Sequence, residues 1–117
     1  MLDGAAIVSA VWGAPQRDEL AARFAGADDG ARVRAGLDAY ASAWAAAHGD
    51  ACRDHLRGEH SSALLDQRMR CLDYRRHALA SAVDVLARGD AAALREATTV
   101  VAKLPPIAAC DDLAALT

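Results

Sequence analysis

The chain has 117 residues, a formal net charge of −3 and a hydrophobic content of 54%, which fits one domain with a modest core, much of it alanine. The acidic balance gives no case for nucleic acid or for an anionic membrane surface. No apolar run approaches the ~18 residues that a membrane span needs, and Asp3 stands where the basic region of a signal peptide is expected.

Asp3 is the expected cap of a short helix through Val11, with Ala6, Ile7, Ala10 and Val11 on its inner face. Gly13 breaks that helix. Pro15 at a first helical position starts another, with Leu20, Ala21 and Phe24 inward and Gly26 at its end. Trp12 and Phe24 are the large residues that anchor this pair of helices. Strand signals are nearly absent, because β-branched residues cluster only at Ile7-Val8 and from Thr98 to Val101.

A long antiparallel helical hairpin is predicted over about residues 29–88. Asp28 or Asp29 caps the first arm, which carries Val33, Leu37, Tyr40, Trp44, Ala47 and Ala51 at alternating steps of four and three. Gly36 and Gly49 lie within it, and Gly49 marks an expected bend. Arg57-Gly58 ends it. Ser61 or Ser62 caps the second arm, whose seam is Leu65, Met69, Leu72, Leu79, Val83 and Leu86, with Arg76 as the one charged exception. A short turn makes the arms neighbours. Setting Leu37 opposite Leu86, Tyr40 opposite Val83 and Trp44 opposite Leu79 also sets Ala51 opposite Leu72 and Cys52 opposite Cys71. A Cys52–Cys71 disulfide would stabilise by about 3 kcal/mol in the chain-entropy model; the alternative is two buried free thiols. With three cysteines in the chain, that pairing leaves Cys110 over.

After Arg88-Gly89, Asp90 caps a helix with Leu94, Ala97, Val101 and Leu104 inward, ended by Pro105-Pro106. Asp111 or Asp112 caps a terminal turn through Leu116. The expected fold is all-α, a helical bundle in which shorter helices flank the central hairpin, as a single domain over residues 1–117.

His48, Cys52 and His55 share one helical face at the spacing of three metal ligands, with Cys71 or Asp66 as a fourth. That use of Cys52 excludes the disulfide, and the structural alternative is surface histidines beside a structural cysteine. A cysteine–histidine nucleophile is a weaker reading. Nothing in the sequence marks an oxyanion hole, a phosphate loop or a carboxylate pair, so a non-catalytic chain without a cofactor is expected. The charged turn offers Arg57, Glu59, Asp66 and Arg68 as a recognition tip; its structural alternative is a capping and ion-pair cluster joining Arg57 or Arg68 to Glu59 or Asp66. A ligand site in the bundle interior would use Trp44, Tyr40 and Arg76.

Leu37-Asp38-Ala39-Tyr40, Trp44, Ala51-Cys52, Arg57-Gly58-Glu59, Leu64-Leu65-Asp66, Arg68-Met69, Cys71-Leu72 and Leu104-Pro105-Pro106 with Cys110 resemble a segment of large bacterial, especially myxobacterial, serine/threonine kinase proteins. There it lies between the kinase domain and a run of tetratricopeptide repeats. The chain departs from that pattern at Asp54-His55, His60 and Gln67. The arginine-rich composition, with Lys103 the only lysine and no asparagine, agrees with a GC-rich bacterial genome. The resemblance implies a linker or sensor module in signalling whose partners are adjacent helical repeats or another protein. It implies a further cysteine near position 1, which would pair with Cys110 and leave Cys52 for Cys71. It also implies an extracytoplasmic location, in agreement with a disulfide; free cysteines would point to the cytoplasm.

Overall fold

A computed structural model describes residues 3–116, and no strand occurs among them. Two helices of equal length form its axis: α3, Gly30–Leu56, and α4, Ser62–Arg88. Gly58 (φ 76°) lets the chain reverse between them. The Ser61 hydroxyl accepts the Leu64 N–H at 3.1 Å and starts α4. Asp29 occupies the cap position of α3 without a side-chain hydrogen bond. The helix runs unbroken through Gly36 and Gly49.

The heptad seam is the core. Val33, Leu37, Trp44, Ala47 and Ala51 of α3 face Leu72, Leu79, Val83 and Leu86 of α4, all buried; Tyr40, Leu65 and Met69 are half-buried. Arg68 is buried in the same α4 stripe.

The two N-terminal helices, α1 (Gly4–Ser9) and α2 (Ala14–Arg23), pack on the hairpin. Asp3 caps α1 by accepting the Ala5 N–H. The inner face of α1 is rotated from the expected one: Gly4 and Val8 are buried, Ile7 and Val11 half-buried, Ala6 and Ala10 exposed. Close approach explains the rotation, since a Cβ on Gly4 would lie 2.9 Å from the Ala45 carbonyl oxygen and 3.0 Å from the His48 Cβ. Trp12 and Phe24 are buried as anchors. The Trp12 indole N–H donates to Asp38 at 2.7 Å, and Arg17 reaches the same carboxylate at 3.0 Å. Burial raises the Asp38 pKa, but these hydrogen bonds outweigh it and the net shift is downward. Arg23 donates to the Leu86 carbonyl at 3.2 Å, tying α2 to the far end of α4.

After α4 the expected single helix is two: α5 (Ala91–Arg95), capped by Asp90, and α6 (Ala97–Ala102). The break at Glu96 seats fully buried Ala97 in the core and lays Val101 over Gly36, where an added Cβ would lie 2.8 Å from Val101 Cγ1. Pro105-Pro106 leads into a 3-10 turn, Ile107–Asp111, and α7, Leu113–Leu116, whose cap is Asp112.

The disulfide joins Cys71 to Cys110, with Cα atoms 5.6 Å apart, and Cys52 is a free buried thiol. This corrects the expected Cys52–Cys71 bridge, and the reason is azimuth. Facing heights along two helices do not make facing side chains, because each residue turns about 100° from the last. Cys52 shares its face with His48, one turn away, and His48 lies against Gly4 of α1. Cys71 shares its face with Arg68 and Arg75, which reach Asp111 and the Pro106 carbonyl of the C-terminal segment. The two cysteines therefore look out on opposite flanks of the seam.

Candidate functional site

A groove of about 600 Å³ runs between α1 and the two hairpin arms. Its floor is Trp44, Leu72, Met69 and Ile7. Trp44 faces α4 because it holds a seam position, and its indole N–H donates to the Leu72 carbonyl at 2.7 Å. That bond satisfies the one polar atom of a side chain only 2% exposed.

His48 lies one turn further along α3 and stacks on Trp44, with ring centroids 5.2 Å apart and planes at 24°. It is buried, and its Nδ1 is 3.8 Å from the Cys52 sulfur. Burial pushes the His48 pKa down, opposed in part by the Asp3 charge. The imidazole is therefore neutral near pH 7.

The rim comes from α4. Arg76 interrupts the seam and turns outward to Asp73 at 2.6 Å. Asp66 and Arg70, one turn apart, complete the rim. Neither side chain has an ion-pair or hydrogen-bond partner among the described residues. The groove thus unites an apolar and aromatic floor, a neutral histidine and a rim of both signs. That combination of an apolar floor and a few polar groups is common among small-molecule sites.

Of the three residues expected to line a ligand site, the groove takes Trp44 and Arg76. Tyr40 lies elsewhere: its hydroxyl donates to the Pro105 carbonyl at 2.6 Å, and burial raises its pKa.

The residues expected at the charged turn do not form a tip. Arg57 and Glu59 are exposed, Asp66 belongs to the groove, and Arg68 is buried with its side chain 4% exposed. Arg68 donates to Asp54 at 2.8 Å and to Asp111 at 3.0 Å, not to Glu59 or Asp66. It also contacts His60 Nδ1 at 3.1 Å, and since a guanidinium only donates, Nδ1 is the acceptor. Burial works against the Arg68 charge, but its two carboxylate partners more than offset that and raise its pKa. The Arg68 hydrogen bond in turn holds the Asp54 carboxyl below the usual range. Sequence reasoning offered Arg68 for an ion-pair cluster here but with other partners and without its burial. The signal for that burial was spacing, since Arg68 stands four residues before Leu72 in the buried stripe.

The candidate metal set His48, Cys52 and His55 is not assembled. Nδ1 of His55 faces the His60 carbonyl at 3.1 Å, and His48 faces Cys52. Among the described residues no group of three or more His, Cys, Asp or Glu side chains is placed to hold a metal ion.

No helix among the described residues is long and apolar enough to cross a membrane. Disulfides persist in oxidising compartments, and the Cys71–Cys110 bridge points to one outside the cytoplasm. Comparison with known proteins finds no matching family model, no matching curated protein and no matching solved structure.

Proposed function

We propose that this chain is a non-catalytic linker or sensor module of an extracytoplasmic, receptor-like part of a bacterial signalling protein. It fixes the geometry between the chain that enters it and the chain that leaves it. The observation that carries this reading is the fastening of both ends to one rod. At the N-terminal end, Trp12 and Arg17 hold Asp38, and Arg23 holds the Leu86 carbonyl. At the C-terminal end, the Cys71–Cys110 bridge is joined by Arg68–Asp111, Arg75–Pro106 and Tyr40–Pro105. A segment fastened by a covalent bond and three hydrogen bonds transmits displacement rather than absorbing it. The resemblance to segments between kinase domains and tetratricopeptide repeats supports a place of this kind, with helical repeats or another protein as partner.

Hydrogen exchange is the test. In the oxidised protein, amides of the C-terminal segment and of α4 should open together at close to the global free energy. Independent, low-energy opening of residues 105–116 in the oxidised protein would remove the basis for rigid coupling. A second reading, a sensor for a small ligand, is favoured by one observation, the groove beneath the Asp66 and Arg70 rim.

A further inference from the structure

The rim of the groove contains an ion pair that does not form. Asp66 and Arg70 stand four residues apart on α4, acid before base, the order in which exposed helical pairs are most favourable. The same helix has that arrangement at Asp84 and Arg88, where the two side chains bond twice. At closer spacing Asp73 bonds Arg76 and Asp50 bonds Arg53. Glu19 and Arg23 on α2 share that order without pairing, Arg23 reaching the Leu86 carbonyl instead; Asp66 and Arg70 are the open pair that overhangs the groove, and among the described residues neither charge has a partner. Asp66 offers an acceptor for a cation. Arg70 offers a fork of donors for a carboxylate. Between and below them lies the apolar floor of Ile7, Trp44 and Met69.

We propose that this groove binds a free α-amino acid with an apolar side chain, its ammonium on Asp66, its carboxylate on Arg70 and its side chain on the floor. This deepens the small-ligand sensor reading above and rests on it. The charge pattern makes the choice. A simple carboxylate leaves Asp66 beside it as a repelling charge, and a simple amine does the same with Arg70. A zwitterion answers both and leaves the groove neutral. The nearest other charges do not compete, because Arg76 and Asp73 satisfy each other at 2.6 Å. His48 in the floor is neutral, since burial lowers its pKa, so it does not repel an ammonium. The volume of about 600 Å³ lies within the range of about 300–1,000 Å³ common for small-molecule sites. It suits a single amino acid better than a helix or a folded partner.

The probes are L-leucine, L-methionine and L-phenylalanine, titrated by calorimetry into the oxidised chain. N-acetyl-L-leucine lacks the ammonium and L-leucinamide lacks the carboxylate, and they are titrated alongside. Saturable binding of at least one amino acid is expected, weakened about tenfold or more by either blocked group, since one charge-assisted bond is lost in each. D66N and R70Q should weaken it by a similar factor. Both positions are exposed and, among the described residues, unpaired, so the melting temperature without ligand should stay at the wild-type value. D84N, on the same helix with its pair closed, should leave binding unchanged.

Absence of saturable binding by all three amino acids would overturn the proposal, as would binding indifferent to D66N and R70Q. Equal binding of N-acetyl-L-leucine would overturn the zwitterion while leaving a ligand sensor in place. Exchange of the C-terminal segment judges the linker reading separately, so the two failures cannot be confused.

Discussion

Replacing Cys110 by serine tests the covalent fastening of the C-terminal segment. The bridge spans a sequence separation of 39 residues, and closing a loop of that size contributes about 4 kcal/mol in the chain-entropy model. A domain of this size has a total stability of about 5–15 kcal/mol, so the loss is a large fraction of it. The urea m-value of a small domain is about 1–3 kcal/mol/M, so the unfolding midpoint should fall by more than about 1 M. Reduction of the wild type should do the same. Cys52→Ala serves as the control: the thiol is buried and unbridged, so its removal should cost about 1 kcal/mol and leave sensitivity to reductant intact. The assay is urea unfolding followed by circular dichroism, with and without reductant, together with peptide mapping of the native protein. A midpoint indifferent to reductant, or a linked peptide containing Cys52 and Cys71, would refute the reasoning.

Three further outcomes follow from named contacts. His48 has a folded pKa below its unfolded value of about 6.5, chiefly through burial, so the unfolded chain binds more protons as pH falls past that value. Stability should be full above about pH 6.5 and decline as pH drops through the folded pKa; His48→Gln should flatten the slope between pH 7 and 5 in urea titrations. The Asp54 carboxyl is held low by Arg68, so its contribution should be present above the unfolded pKa of about 4 and be lost progressively as pH falls from there through the lower folded pKa, a loss that Asp54→Asn should remove from the acid limb. Glycine substitutions in α3 should split in sign. Gly49→Ala meets only the movable guanidinium of Arg53 at 3.1 Å and should stabilise by up to about 1 kcal/mol. Gly36→Ala meets the stiff Val101 at 2.8 Å and should destabilise by about 1–2 kcal/mol, a loss that Val101→Ala relieves. Equal thermal shifts in the two glycine variants would contradict the packing.

What the sequence discloses here is periodic, and what it conceals is directional. The seam of α3 and α4 was legible because apolar residues at steps of three and four have one stable use, a shared buried stripe. The caps Asp3 and Asp90 were legible, and those at Ser61 and Asp112 to within one residue, because each is a local event within three residues. Asp29 shows the limit even there, since it holds the cap position of α3 but makes no side-chain bond. The rotation of α1 depended on how closely a helix approaches through Gly4, which only the partner surface decides. The break of α5 from α6 depended likewise on Val101 finding the gap above Gly36.

The disulfide and the buried arginine follow from one omission. A seam register fixes height along the hairpin and says nothing of the third element that packs on one flank. The C-terminal segment is that element. Once the 3-10 turn lies against α3 and α4, Cys71 has Cys110 beside it and Arg68 has Asp111. Cys52, at the same height, lies beside His48 on α3 and has neither. Arg68 then belongs in the core, because burying a guanidinium is tolerable only where carboxylates meet it. Here Asp54 comes from α3 and Asp111 from the C-terminal segment. The bridge, the buried ion pairs and the Arg75 and Tyr40 contacts to Pro106 and Pro105 are therefore one fastening. Arg68→Met separates its polar from its covalent part. It leaves the bridge intact while stranding two carboxylates that keep some access to water, so a loss of about 1–3 kcal/mol is expected. Loss of the C-terminal segment's exchange protection in that variant, with the disulfide still formed, would mean that the ion pairs rather than the bridge hold the segment rigid.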